Sequence, residues 1–271
     1  MSFTPLRSVK ATGALSVSHT GVRVSAITDH PCFNQPKNQE ARLWRYMDFT
    51  KFVSLLSSES LFFCRADLFK DPFEGSYSKA NVALRPHVYK DIPGEQLEKM
   101  TTQMADFSKW IRGWTYINCW HANEYESAAM WDLYAKTNEA VAIETNYLKL
   151  KDALPENVYL GLVNYIDYDS EWLPEGNSFY PFTHKRKSFE HEKEVRAVIQ
   201  ELPNAEKGIA VGKENQLFGS DVKVDLNSLI ETVHISPTAP KWFAELVSNV
   251  ASRYELSAPI NQSMLYSEPV Y

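Results

Sequence analysis

Between residues 43 and 250, short runs of β-branched and aromatic residues alternate with stretches whose apolar positions fall three and four apart. This interleaving constrains the fold more than any other feature, because the two periodicities demand strands and helices in turn. Strands are expected at 43–47, 61–64, 116–120, 140–145, 158–167, 194–200 and 232–236, each rich in residues that fit a pleated surface. Asp48 is placed to cap a helix carrying Phe49, Phe52, Val53 and Leu56 on one face. Leu97, Met100, Met104, Phe107, Ile111 and Trp114 mark one face of a helix of about five turns. Asn123 and Glu126 give an N-x-x-E start signal for a helix to residue 136, and Thr238 with Pro240 opens another through Val250. The order lacks the regular βαβ rhythm of a doubly wound parallel sheet. It predicts a single mixed α+β domain, with a largely antiparallel split sheet flanked by helices.

The globular domain is expected to span 41–271. Residues 1–28 contain no Asp or Glu, nine Ser or Thr, and three basic side chains, Arg7, Lys10 and Arg23; against −6 for the whole chain, this leaves −9 on the rest. Such a segment reads as a poorly ordered arm, ending near residue 40, with no apolar core of a secretory signal. No run approaches the roughly 18 apolar residues of a membrane span, so no membrane partner is expected. A pI near 5.7 argues against a broad electrostatic nucleic-acid binder. Cys32, Cys64 and Cys119 are odd in number and far apart, without CxxC or HExxH spacing. Neither a disulfide framework nor a metal site is expected, and the reducing cytoplasm is the expected compartment. Walker, G-x-G-x-x-G and G-x-S-x-G patterns are missing too, which disfavours P-loop NTPases, Rossmann dehydrogenases and the common serine hydrolases.

Chemistry must then come from polar residues set among aromatics, and four clusters qualify. In Leu43-Trp44-Arg45-Tyr46, strand alternation puts Arg45 opposite Trp44 and Tyr46; its guanidinium suits a phosphate or carboxylate ligand, or pairs with Asp71 or Glu74. Asp71-Pro72-Phe73-Glu74 is foremost a turn. After Cys119-Trp120-His121, helical spacing groups Ser127, Trp131 and Tyr134, either as core or as the flank of a planar ligand. The densest cluster runs from His184 to Arg196: on a strand Glu192, Glu194 and Arg196 would share one face, and Lys185, Arg186 and Lys187 form the one concentrated basic patch, suited to a local nucleic-acid contact.

The succession L-W-R-Y, D-P-F-E, C-W-H, E-S-A-A-M-W-x-x-Y-A, F-E-H-E-K-E-V-R and V-H-I-S-P, in that order from Leu43 on, resembles a bacterial family catalogued as domain of unknown function 2971. The opening unit, a strand with Arg45, an F-x-x-F-V-x-L-L helix and a short strand at 61–63, is similar to the start of ADP-ribosyltransferase domains. That resemblance implies NAD as co-substrate. It further implies Arg45 as the first-strand NAD residue, Ser127 or Tyr134 near the nicotinamide, and Glu194, preceded by Glu192, as the late-strand glutamates. Catalysis would rest on Glu194, Glu192 and Arg45, with Tyr46, Trp131 and Arg196 completing the nucleotide contacts. The acceptor would be a protein, a nucleic acid or water, in a toxin or phage-defence setting with an antitoxin or regulatory partner. Two other classes stay open: a metal-dependent nuclease built on Asp71, Glu74, Glu192 and Glu194, and a noncatalytic module that binds a nucleotide or a protein.

Overall fold

Strand β1 (Arg42–Asp48) ends on the residue that starts helix α1 (Phe49–Ser58): the Asp48 carboxylate accepts from Lys51 N at 3.0 Å, satisfying one of the helix's free N–H groups. A computed structural model describes residues 25–134, 137–206 and 208–271. The chain continues through β2 (Ser60–Arg65), α2 (Lys79–Val88), α3 (Gly94–Arg112), β3 (Thr115–Ala122), α4 (Ala128–Tyr134), β4 (Ala140–Asn146) and α5 (Tyr147–Ala153). There follow β5 (Tyr159–Leu162), β6 (Asn164–Ile166), α6 (Tyr180–Thr183), β7 (His184–Arg186), β8 (Glu194–Gln200), β9 (Gly219–Lys223), α7 (Leu226–Leu229), β10 (Thr232–Ile235), α8 (Lys241–Arg253) and β11 (Ile260–Gln262).

These elements make one α+β domain around an open nine-stranded sheet, ordered β11-β10-β4-β1-β3-β2-β9, with β8 and β5 branching from β3; β6 and β7 form a separate parallel pair. Among the described strands of the large sheet, only β10 and β11 pair in parallel. The sheet is split at β3. One edge of β3 pairs with β8 along its length. The other pairs with β1 at Trp44↔His121 and with β2 at Cys64↔Ile117, leaving a gap between β1 and β2 opposite Asn118 and Cys119.

Register decides which side chains can meet, since alternate residues face opposite sides. On one face Leu43, Met47, Tyr116, Trp120, Val141, Ile143, Val195 and Ala197 join Phe52 and Leu56 of α1, Leu150 of α5, Leu229 of α7, and Phe243 and Val247 of α8 in the main core. Each buried Val, Leu, Ile, Phe or Met side chain among them contributes roughly 1.5–3 kcal/mol of transfer free energy. The other face carries two smaller clusters. Ile117 and Val198 pack with Ile111 and Phe182 at one end, and Trp44, Tyr46 and Ala142 with Met130 and Trp131 of α4 at the other. Between them, on the same face, stand Cys119, His121, Glu194 and Arg196.

Several expectations change. Residues 25–40, assigned by composition to the arm, pack on the domain: Cys32 and Phe33 are buried in the Ile117 cluster, and Ile27 and Asn34 form bridges to Tyr159 and Leu162. Residues 1–24 lie outside the described residues. The strand expected at 158–167 is two strands in different sheets, β5 and β6. Helix α4 starts at Ala128, with Ser127 Oγ accepting from Met130 N at 3.4 Å; Asn123 does not cap it. Glu126 instead accepts from Trp131 Nε1 and Ser263 Oγ. Among the described residues no helix is long and apolar enough to cross a membrane.

Candidate functional site

The densest charged segment of the sequence becomes a closed network because the chain doubles back. After β7, a 3₁₀ turn spans Lys187–Glu192, and Lys193 takes a left-handed conformation, φ 40°, before β8 begins. Residues two apart in a continuous strand are held about 7 Å apart. The turn at Lys193 lets the carboxyls of Glu192 and Glu194 hydrogen-bond to each other. Lys185 folds back from β7 and donates to both: to Glu192 Oε2, and to Glu194 Oε1 at 2.6 Å.

Arg196, two residues along β8, is 1% exposed. Its Nε donates to Glu194 Oε2 at 2.5 Å, its Nη atoms to both oxygens of Glu74 at 2.6 and 2.8 Å, and Nη1 also to the Phe182 carbonyl at 2.8 Å. Glu74 is held there by the turn that follows it. Gly75 has φ +69°, and a Cβ at that position would stand 2.4 Å from Phe182 Cε1. Glycine is what this close approach and backbone conformation require.

Three carboxyls therefore share two cations, and their protonation is uneven. Burial works against ionisation of Glu194, but Arg196, the hydrogen bond from Glu192 and Lys185 outweigh it and hold Glu194 well below the usual carboxylate range. Burial, then the hydrogen bond to Glu194 and its charge, push Glu192 up to about 7. Burial also raises Glu74, and Arg196 offsets only part of that. With Glu192 protonated the network is neutral; with Glu192 ionised it carries one negative charge. A carboxyl pair split this way holds its extra proton near neutral pH.

Around the pair stand Tyr165, which the sequence did not single out, and Cys119, His121 and Tyr134, which it grouped as a candidate cluster. Tyr165 Oη accepts from Glu194 N at 2.8 Å, and burial, then Glu194, raise its pKa. Burial, then Glu194, also raise the Cys119 thiol well above its ordinary value. His121, the cross-strand neighbour of Glu194, donates from Nδ1 to the Glu192 carbonyl at 2.7 Å. The network's outer edge is marked by Tyr134. This residue is 44% exposed, yet burial of its hydroxyl end, then the charges of Glu192, Cys119 and Glu194, raise its pKa.

Other predicted residues take different places. Arg45 has the parity of the main-core face, opposite Ile143, and so does not join Glu194 and Arg196. Its guanidinium stands 5.8 Å from the Trp120 ring and donates to the Phe62 carbonyl at 3.4 Å, at the gap in the sheet. Burial lowers it to about 10, with Cys119 opposing. The carboxylates considered as its partners go elsewhere: Asp71 to Arg186 at 2.7 Å, Glu74 to Arg196. Tyr46 and Trp131 are buried edge to face, 5.0 Å between centroids, so Trp131 fills the core and cannot stack on a ligand as placed. Ser127 donates its N–H to Tyr46 Oη at 2.8 Å. The expected basic patch is neutralised, Lys185 by the two glutamates, Arg186 by Asp71, and Lys187 by Glu171.

Two surface cavities lie away from this network. One of about 320 Å³ is lined by Arg65, Trp110, Trp114 and Lys213; the other, about 230 Å³, by Leu56, Val224, Tyr254 and Leu256. Several polar groups of the larger are already bonded: Arg65 to Asp67 and to the Asn215 and Leu217 carbonyls, both indoles to the Lys213 carbonyl. The buried, perturbed carboxyls make the glutamate network, rather than either cavity, the candidate site. Among the described residues no three His, Cys, Asp or Glu side chains gather as a metal-binding group; Lys185 and Arg196 already occupy the positions that a cation would take between these carboxylates. No protein-family model, curated protein or solved structure matches the chain.

Proposed function

We propose that the chain is an NAD-consuming enzyme of the cytoplasm, an ADP-ribosyltransferase or NAD glycohydrolase, whose reactive centre is the Glu192–Glu194 pair. The observation that carries this reading is geometric: the buried Glu192 and Glu194 converge on Lys185, and Arg196 ties Glu194 to Glu74, an arrangement that raises Glu192 to about 7 while holding Glu194 ionised. Breaking the bond between ribose and nicotinamide builds positive charge on the sugar. A network that carries −1 when Glu192 is ionised stabilises that charge more in the transition state than in the ground state. Glu194 has both oxygens bonded to cations, so it acts by holding Lys185 and Arg196 in place and by setting the proton affinity of Glu192. Arg45 makes no ion pair among the described residues and offers its charge to the pyrophosphate at the gap in the sheet. Cys119 links the two places, lying in the fields of both Arg45 and Glu194. Tyr134, at the open edge, flanks the nicotinamide. The acceptor is water, a protein or a nucleic acid.

Incubation of the purified chain with NAD labelled in the adenylate and in the nicotinamide, with and without cell lysate, tests this. Wild type releases nicotinamide; Glu192→Gln and Glu194→Gln lose about 100-fold or more. Absence of NAD binding by calorimetry, together with absence of nicotinamide release under every condition, refutes the reading.

A further inference from the structure

Neither glutamate can serve as the free base that the transfer also needs. Both oxygens of Glu194 accept from cations, and Glu192 is bonded to Lys185 and to Glu194. One buried side chain beside them has a nitrogen with no partner. His121 is 3% exposed, and its Nδ1 faces a carbonyl oxygen that can only accept; Nδ1 therefore carries the ring proton and Nε2 presents a lone pair. That Nε2 is buried and has no hydrogen-bond partner among the described residues. A buried acceptor without a donor is unfavourable, so it invites a donor from a ligand.

The surroundings fix the ring. Tyr46 of β1 lies edge-on at 6.3 Å, Glu194 of β8 is the cross-strand neighbour, and the turn before β8 supplies the Glu192 carbonyl, with Lys193 and His191 as the charged or titratable groups nearby. Burial first, then Lys193 and His191, lower the imidazole below its ordinary value, against the Glu192 carbonyl, which raises it, so the ring is neutral at pH 7.

We propose that His121 is the general base of the reaction, taking onto Nε2 the proton of the hydroxyl or water that attacks the ribose. This rests on the NAD reading above. The bond from the nucleophile's oxygen to the anomeric carbon forms as the bond to nicotinamide breaks. The breaking bond's electron pair goes to the pyridine nitrogen and neutralises it, and the nucleophile's proton moves to Nε2 and from there to water. His121 thereby separates two tasks: the glutamates answer charge on the sugar, and the imidazole handles the proton.

The test uses the full chain and NAD, with His121→Gln and His121→Phe against wild type. Calorimetry measures NAD affinity, nicotinamide release is followed from pH 5 to 9, and ¹⁵N spectra of the labelled imidazole are taken with and without NAD. The expected result is affinity within about threefold of wild type, release slowed about 100-fold or more, and an acid-side log rate against pH that is one unit shallower in slope than wild type. Release within about threefold of wild type, or slower release with the wild-type acid-side slope, overturns the proposal. Should the variants fail to fold, or wild type bind NAD without cleaving it, the spectra decide: the Nε2 resonance of wild type must move on NAD binding, and a fixed resonance refutes the role of His121. Failure to bind NAD at all overturns the NAD reading and this one with it.

Discussion

Replacing Arg196 by Met should destabilise the fold severely, and less so in acid. The guanidinium is 1% exposed, bonded to both oxygens of Glu74, to Glu194 and to the Phe182 carbonyl. Methionine fills much of the same volume but leaves both Glu74 oxygens, one Glu194 oxygen and the Phe182 carbonyl without the donor that Arg196 supplied. Removing one partner of such a pair costs about 3–5 kcal/mol. At about 2–4 °C per kcal/mol for a domain of this size, the melting temperature falls by about 6–20 °C. The sign of the pH effect follows from linkage. Glu74 is already raised by burial, and without Arg196 its folded pKa climbs further above the unfolded value. The deficit is therefore largest at alkaline pH and shrinks toward acid, by up to about 1.4 kcal/mol per pH unit for each carboxyl driven to protonate. Guanidinium unfolding of wild type, Arg196→Met, Glu74→Leu and the double variant, followed by tryptophan fluorescence at pH 7.5 and 5.5, measures all of this. The double variant should cost less than the sum of the singles by more than about 1 kcal/mol. A cost for Arg196→Met below about 1 kcal/mol, additive singles, or a deficit independent of pH would refute the description of the network.

Gly75→Ala should cost about 2–4 kcal/mol, combining left-handed strain with a Cβ forced against Phe182, and a thermal melt unchanged from wild type contradicts this. Glu192→Gln should flatten the pH dependence of stability. The folded pKa of Glu192, about 7, lies above the ordinary glutamate value of 4.5, so the folded state holds the extra proton and wild-type stability falls as pH rises between these values. The variant lacks that fall and is at least as stable as wild type at pH 8; chemical unfolding across that range with an unchanged slope would show that Glu192 is not the titrating group.

The sheet was legible because period-two runs such as 43–47, 140–145 and 194–200 are long enough to declare themselves, and β1, β4 and β8 fall on them. The capping role of Asp48 was legible for the same local reason. What alternation could not give was register across the split. Arg45 and Arg196 look alike in sequence, yet pairing with Ile143 turns one to the main core while pairing with Cys119 turns the other to the glutamates. The closeness of Glu192 and Glu194 was read from strand spacing, but its cause is the left-handed Lys193, a conformation nothing in the segment signals. Lys185 through Lys187 read as a basic patch because their partners, Glu192, Glu194, Asp71 and Glu171, include residues far along the chain. The acid-free start at 1–28 misled in part: apolar Cys32 and Phe33 bind the segment from residue 25 to the domain. His121 carried a faint signal, a histidine inside an apolar strand, but its bare nitrogen is visible only once the Glu192 carbonyl is placed against Nδ1.

The proton shared by Glu192 and Glu194 can be observed directly. A carbon-13 titration of side-chain carboxyls in glutamate-labelled protein, assigned by Glu192→Gln and Glu194→Gln, should show one resonance with its midpoint near 7, lost in Glu192→Gln, and a second that stays ionised through the acid range in which the fold survives. Midpoints for both residues in the ordinary carboxylate range, about 4 to 4.5, would contradict the account.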